Sequence, residues 1–126
     1  MVNVLIVGCG GFIGAALRYM CTDLFSGAAT GAFPFATFAI NVIGSFLIGV
    51  MSVLLPFAFP ENKQALLFVT TGILGGFTTF STFSLETLGL IEDSHYGTAA
   101  AYAGGSLVCC IAGVALGRAA ARFFCH

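Results

Sequence analysis

Charge is what this sequence has least of. Asp, Glu, Lys and Arg make up 7% of its 126 residues, against about 25% in an ordinary soluble domain. They stand at Arg18, Asp23, Glu61, Lys63, Glu86, Glu92, Asp93, Arg118 and Arg122. So sparse a set cannot solvate the surface of a water-soluble enzyme. Neither sign dominates, with four basic and five acidic residues, which excludes a basic nucleic-acid binder. Disorder is excluded because 59% of the residues are hydrophobic and the mean hydropathy is +1.06. Metal-ligating patterns are missing as well. Cys9, Cys21, Cys109, Cys110 and Cys125 contain no Cys-x-x-Cys, and an odd number cannot pair fully within one chain. A thiol within an apolar stretch acts as a small hydrophobe. His95 and His126 lack partners at metal-ligand spacing. What remains is an integral membrane protein.

The charges leave uncharged stretches at 1–17, 24–60, 64–85 and 94–117. A helix crosses a bilayer with roughly 17–25 apolar residues, so each stretch holds one span. Residues 1–126 therefore read as a single four-helix transmembrane domain. The predicted spans run from about Val2 to Met20, Phe35 to Leu55, Ala65 to Ile91 and Tyr96 to Phe123. The first is kept as a span, since no basic segment precedes it and its glycines are untypical of a signal peptide. A small-residue loop from Ser26 to Gly31 joins the first two spans, and Pro34 starts the second at a tolerated place. Pro56 and Pro60 are expected to stop it, and Glu61-Asn62-Lys63-Gln64 to form a polar turn. Lys63, Arg118 and Arg122 fall on one side and Arg18 on the other, a weak bias by the positive-inside rule. So weak a bias is compatible with insertion in both orientations. Gly10-x-x-x-Gly14 and Gly113-x-x-x-Gly117 form small-residue faces for close helix contact. A pore inside one such small subunit would be narrow, which favours an oligomer.

Three segments could carry chemistry. Val4-Leu-Ile-Val7-Gly8-Cys-Gly10-Gly11-Phe-Ile-Gly14 imitates a strand and a dinucleotide-binding turn. No acidic residue follows at about 20 residues to hold a ribose, and the chain lacks alternating strands and polar helices. The centre of span three is more informative. Gly72, Gly75 and Gly76 are poor helix formers, and Thr78, Thr79, Ser81, Thr82 and Ser84 follow among Phe77, Phe80 and Phe83. A break there must be buried in protein or line a cavity, and broken membrane helices are where transporters bind ions. Phe80 and Phe83 share a helix face, with Ser81 and Ser84 beside them. Phenyl edges carry positive quadrupole charge, and next to hydroxyl donors they suit a small anion. The alternative is a glycine and hydroxyl packing seam with ordinary aromatic contacts. In span two, Asn41 brings two N–H donors into hydrocarbon, where they link helices or face a polar pathway. Arg18 is either a snorkelling anchor or a fixed charge at a pore mouth. Glu86 lies near the exit of span three.

Taken in order, these residues resemble the small bacterial fluoride channel family (Fluc/CrcB). The resemblance runs from Gly10-Gly11-Phe-Ile-Gly14 and Arg18-Tyr19, through Thr37-Phe-Ala-Ile-Asn41-Val-Ile-Gly44-Ser45-Phe46, to Gly72 through Ser84 with Glu86. In span four it rests on Tyr102 and Ser106. It implies an all-α membrane protein of four helices per subunit, the third broken, assembled as an antiparallel, dual-topology homodimer with two pores. The implied activity is passive, fluoride-selective flux that lowers cytoplasmic fluoride, without enzymatic catalysis, in a cell inner or plasma membrane. By the same resemblance Phe80 and Phe83 line the pore and Asn41 supplies an amide donor. Ser81, Thr82, Tyr102 and Ser106 contribute a hydroxyl track, Arg18 stands near the pore entrance, and Glu86 is a vestibule acid. Cys110 departs from the small hydroxyl residue often found at the end of that track, and its thiol is a weaker donor. The carbonyls of Gly75 and Thr78 match positions that hold a structural sodium ion at the dimer centre. Partners are thus fluoride, a second copy and membrane lipid, with no nucleic acid.

Two other classes remain open on the residues alone. A proton-coupled anion or drug transporter would need a titrating buried carboxylate, for which Glu86 is the candidate. A structural membrane subunit would carry no flux by itself.

Overall fold

The computed structural model describes residues 1–27 and 31–125. The middle of the expected Ser26–Gly31 loop, and His126, lie outside the described residues. The described backbone is helical: α1 (Val2–Ser26), α2 (Phe35–Ala58), α3 (Lys63–Leu66), a π-helix (Leu67–Leu74), α4 (Gly75–Phe77), α5 (Phe80–Glu92) and α6 (Tyr96–Phe124). Among the described residues there is no strand, and the dinucleotide-like run at 4–14 lies wholly within α1. Four helical stretches are long and apolar enough to cross a membrane: Val2–Ser26, Phe35–Ala58, Lys63–Glu92 and Tyr96–Phe124. The chain is a multi-pass membrane protein.

Local chemistry sets the ends. Asn62 caps α3, its Oδ1 accepting from the Ala65 amide at 2.9 Å, so Lys63 already belongs to the helix. Pro56 does not stop α2, which runs on to Ala58. Proline there removes one donor in the last turn, and the helix ends two residues further on. Between α5 and α6 the backbone turns at Ser94, whose φ of 62° is left-handed, while the His95 amide returns to the Leu90 carbonyl at 2.8 Å.

Packing relies on small residues. α2 lies along α6, and α1 lies along the π-helix and α4. A Cβ on Gly10 would stand 2.6 Å from the Phe68 carbonyl oxygen, and one on Gly14 would collide with the Ile73 carbonyl. Gly49 and Gly117 are pressed in the same way against Val114 and Phe46 backbone. Both expected small-residue faces are therefore backbone-to-backbone contacts. Large buried side chains are few: Tyr102 and Ile40 are the largest that are fully buried. Leu90, Ala99 and Tyr102 form a core against which Phe33, Phe38 and Phe83 pack.

The third span is broken, but not at its glycines. Gly72, Gly75 and Gly76 all have helical backbone. Gly72 and Gly76 instead let α1 approach, with virtual Cβ atoms 2.9 Å from Gly10 Cα and 2.7 Å from the Gly11 oxygen. The helix opens at the two residues that follow, where Thr78 (φ −78°, ψ 159°) and Thr79 (φ −149°, ψ 118°) are extended.

Candidate ion site at the helix break

Opening a helix strands main-chain donors and acceptors, and in an apolar setting each needs a partner. Thr79 finds its partner on α2. The Asn41 Nδ2 donates to the Thr79 carbonyl at 3.0 Å, and the Thr79 amide donates to Asn41 Oδ1 at 2.8 Å. A single side-chain amide thus pairs with the opened helix backbone as a second backbone would. Of the two N–H groups expected for an ion, one is spent on this clasp and one remains. Thr79 also caps α5: its Oγ1 accepts from the Thr82 amide at 3.2 Å and donates to Thr82 Oγ1 at 3.0 Å. Ser81 Oγ lies 3.3 Å from the same hydroxyl.

Two cavities meet at this break. The first, of about 340 Å³, is walled by Asn41, Ser45, Thr79, Phe80, Phe83 and Ser106, with Cys110 beside them. The Phe80 and Phe83 ring centroids are 5.4 Å apart, and Phe83 sits 5.2 Å from Tyr102. Phe80 is 79% exposed, so this wall is open on its outer side. The Ser106 hydroxyl is buried and has no hydrogen-bond partner, an unusual condition for a buried polar atom. The second cavity, of about 300 Å³, is lined by Arg18, Tyr19, Thr37, Thr79, Thr82 and Glu86. Thr79 borders both cavities, so the clasped backbone is the partition between them.

Glu86 is held at the edge of the second cavity by two hydroxyls. Thr37 Oγ1 donates to its Oε1 at 2.9 Å and the Tyr102 hydroxyl to its Oε2 at 2.7 Å. These bonds join α2, α5 and α6 at one carboxylate. Tyr102 is fully buried, with its ring against Phe33 and Phe83.

The break also releases main-chain oxygens. In a continuous helix the amides of Thr79 and Thr82 would bond the carbonyls of Gly75 and Thr78. Here those amides go to Asn41 Oδ1 and Thr79 Oγ1, so both carbonyls lose their usual helical partners. Carbonyls released in this way are oxygen donors of the kind hard cations take, and unwound carbonyls suit sodium. One chain thus offers two oxygens of the right kind, fewer than a closed cation site takes.

The predicted residues are thus divided between two chambers. Asn41, Phe80, Phe83 and Ser106 border the first; Arg18, Thr82 and Glu86 border the second. Ser81 lies within reach of the Thr79 cap, and Tyr102 acts on Glu86. Ser84, one turn beyond Phe80, has its hydroxyl taken up by the Phe80 carbonyl at 2.9 Å. The contributions of Thr37 and Thr79 are additions to the sequence reading. Thr79 had a local signal, a hydroxyl residue before a helix start; Thr37 had none, because its partner lies 49 positions away.

Known proteins carry the same sequence pattern. Residues 5–118 match the family described as CrcB-like protein, Camphor Resistance (CrcB). A protein of Ruminiclostridium cellulolyticum named fluoride-specific ion channel FluC is 49% identical over 122 residues, covering 97% of this chain and 94% of its own. The protein of that name from Chlorobaculum tepidum is 50% identical over 107 residues, covering 85% of this chain and 84% of its own. One from Agrobacterium fabrum is 42% identical over 122 residues, covering 97% and 98%. With four spans, a clasped break and this likeness along nearly its whole length, the chain belongs to the CrcB-like family.

Proposed function

We propose that this protein is a passive fluoride channel that lets fluoride leave the cytoplasm, built from two copies in antiparallel orientation. The observation that carries this reading is the first cavity, where Asn41, the Phe80 and Phe83 rings and an unpartnered Ser106 hydroxyl converge. Fluoride holds its water strongly, so a path for it must replace that shell with donors at close range. The second Asn41 N–H, the Ser106 hydroxyl and ring C–H edges are such donors. The likeness to relatives named fluoride-specific channels, at up to 50% identity, points the same way. A larger anion such as chloride fits less closely between the rings. Arg18 gathers anions in the second chamber, which Thr82 and Glu86 line, while Tyr102 fixes Glu86 and Ser81 supports the Thr79 cap from outside both cavities.

The open, exposed side of Phe80 is where a second copy completes the pathway. The released carbonyls of Gly75 and Thr78 would hold a structural sodium ion between two such copies. Two oxygens from one chain are too few for a closed cation site, and a twofold partner doubles them. Bound there, sodium supplies positive charge that fixes the two breaks relative to each other.

Purified protein in liposomes loaded with potassium fluoride tests the reading. On addition of a potassium ionophore, a fluoride electrode should record rapid efflux, with no chloride release from matched vesicles. Phe80→Ile should abolish the fluoride signal. Absence of fluoride efflux from vesicles holding folded protein would overturn the reading.

A further inference from the structure

We infer that Cys110 is a binding site for a soft, thiol-seeking monovalent cation, with Ag⁺ as the probe, and that filling it stops ion passage. The blocking effect rests on the channel reading; the binding does not. Cys110 is a free, half-buried thiol that borders the first cavity beside Phe80, Phe83 and Ser106. None of the other four cysteines borders either cavity, although Cys109 is its neighbour in sequence. On α6, Ser106 precedes Cys110 by four residues, so the two side chains share one face.

The second, independent observation is Ser106. It is 5% exposed, and its hydroxyl has no partner. A buried polar atom without a partner calls for a group brought in from the cavity. The cavity of about 340 Å³ has ample room for a partly hydrated ion, a water occupying about 30 Å³. The surroundings suit a soft cation. Sulfur selects soft metals over hard ones, and the Ser106 oxygen offers lone pairs. Fluoride is a hard anion and does not compete for Ag⁺ in the way a thiol does.

The chemistry balances without an oxidant. Ag⁺ displaces the thiol proton: the S–H bond breaks, an S–Ag bond forms, the proton passes to water, and no oxidation state changes. The adduct occupies the space between the rings and Asn41.

The test uses reconstituted protein in chloride-free potassium fluoride liposomes, with silver nitrate added before the ionophore. Wild type should lose fluoride efflux to the level of protein-free vesicles. A variant with Cys9, Cys21, Cys109 and Cys125 all changed to Ala should conduct and should lose efflux in the same way. Cys110→Ser should abolish the silver effect on whatever efflux it carries. Rapid efflux that Ag⁺ leaves unchanged, or block that persists in Cys110→Ser, would overturn the proposal. Absence of efflux before silver is added strikes the channel reading instead. Binding is then decided by intact mass in detergent, where Ag⁺ should shield one more thiol from N-ethylmaleimide in wild type than in Cys110→Ser. Equal shielding in the two proteins would overturn the site.

Discussion

Replacing Asn41 with Ala removes both bonds that close the helix break. The amide at 2.8 Å and the carbonyl at 3.0 Å of Thr79 then have no partner. Soluble-protein figures of about 1–3 kcal/mol for each orphaned buried group set an upper bound of about 6 kcal/mol. Interhelical bonds inside membranes measure lower, averaging about 0.6 and reaching about 1.7 kcal/mol. Two of them give about 1–3 kcal/mol, which corresponds to a change of about 5–150-fold in an equilibrium. The break should therefore open by that factor more often. Hydrogen exchange of the Thr79 amide, followed by NMR in detergent micelles, reads this directly, and its protection should fall by a similar factor. Asn41→Asp keeps the acceptor for the Thr79 amide but loses the donor to its carbonyl. Its Thr79 protection should lie between wild type and Ala, while the anionic side chain should repel fluoride and suppress efflux. A Thr79 amide equally protected in Asn41→Ala would refute the clasp.

Other expectations follow from the same geometry. Gly117→Ala drives a methyl into the Phe46 carbonyl, whereas Gly8 has open space around it. Overpacking of this kind costs about 1–3 kcal/mol, so thermal unfolding in detergent should come early for Gly117→Ala and near wild type for Gly8→Ala. In Glu86→Gln the amide oxygen still accepts from one of the Thr37 and Tyr102 hydroxyls, and the other can turn to accept from the amide N–H; much of the fluoride efflux should survive, and complete loss would favour proton coupling. Tyr102→Phe keeps the ring packing against Phe33 and Phe83 but deletes the 2.7 Å bond to Glu86. Interhelical bonds inside membranes contribute about 0.6 and at most about 1.7 kcal/mol, so this variant should be destabilised to unfolding in detergent by an amount in that range.

How much of this was legible in the sequence depended on the range of the interaction. The four spans could be read because nine charges divide the chain, and the two GxxxG faces could be read because their spacing is local. The break falls inside the expected segment, but at Thr78 and Thr79 rather than at the glycines. Glycine signals both weak helix and close approach, and here Gly72 and Gly76 serve α1 rather than the opening. The π-helix over Leu67–Leu74 left no compositional trace, since its run of Leu, Phe, Val and Thr would serve an α-helix equally well. Asn41 was recognised as a polar residue that needed a partner, but its partner is main chain, and main chain is the same at every position. Thr37 and Tyr102 meeting on Glu86 is a property of three helices at once.

The pairing of the helices fixes an order of assembly during synthesis. The closest contacts join α1 to the first half of the third span and α2 to α6, so neither tight pair consists of neighbours along the chain. While α1 and α2 enter the bilayer, Gly10 and Gly14 have only lipid to face, and they stay so until Phe68 through Phe77 emerge. The groove at Gly49 waits longer still, for Val114 in the second half of α6. Insertion can therefore proceed span by span, but docking is interleaved. A nascent chain halted before α6 would leave α2 without its partner, exposing a glycine-notched face to any other helix of complementary shape.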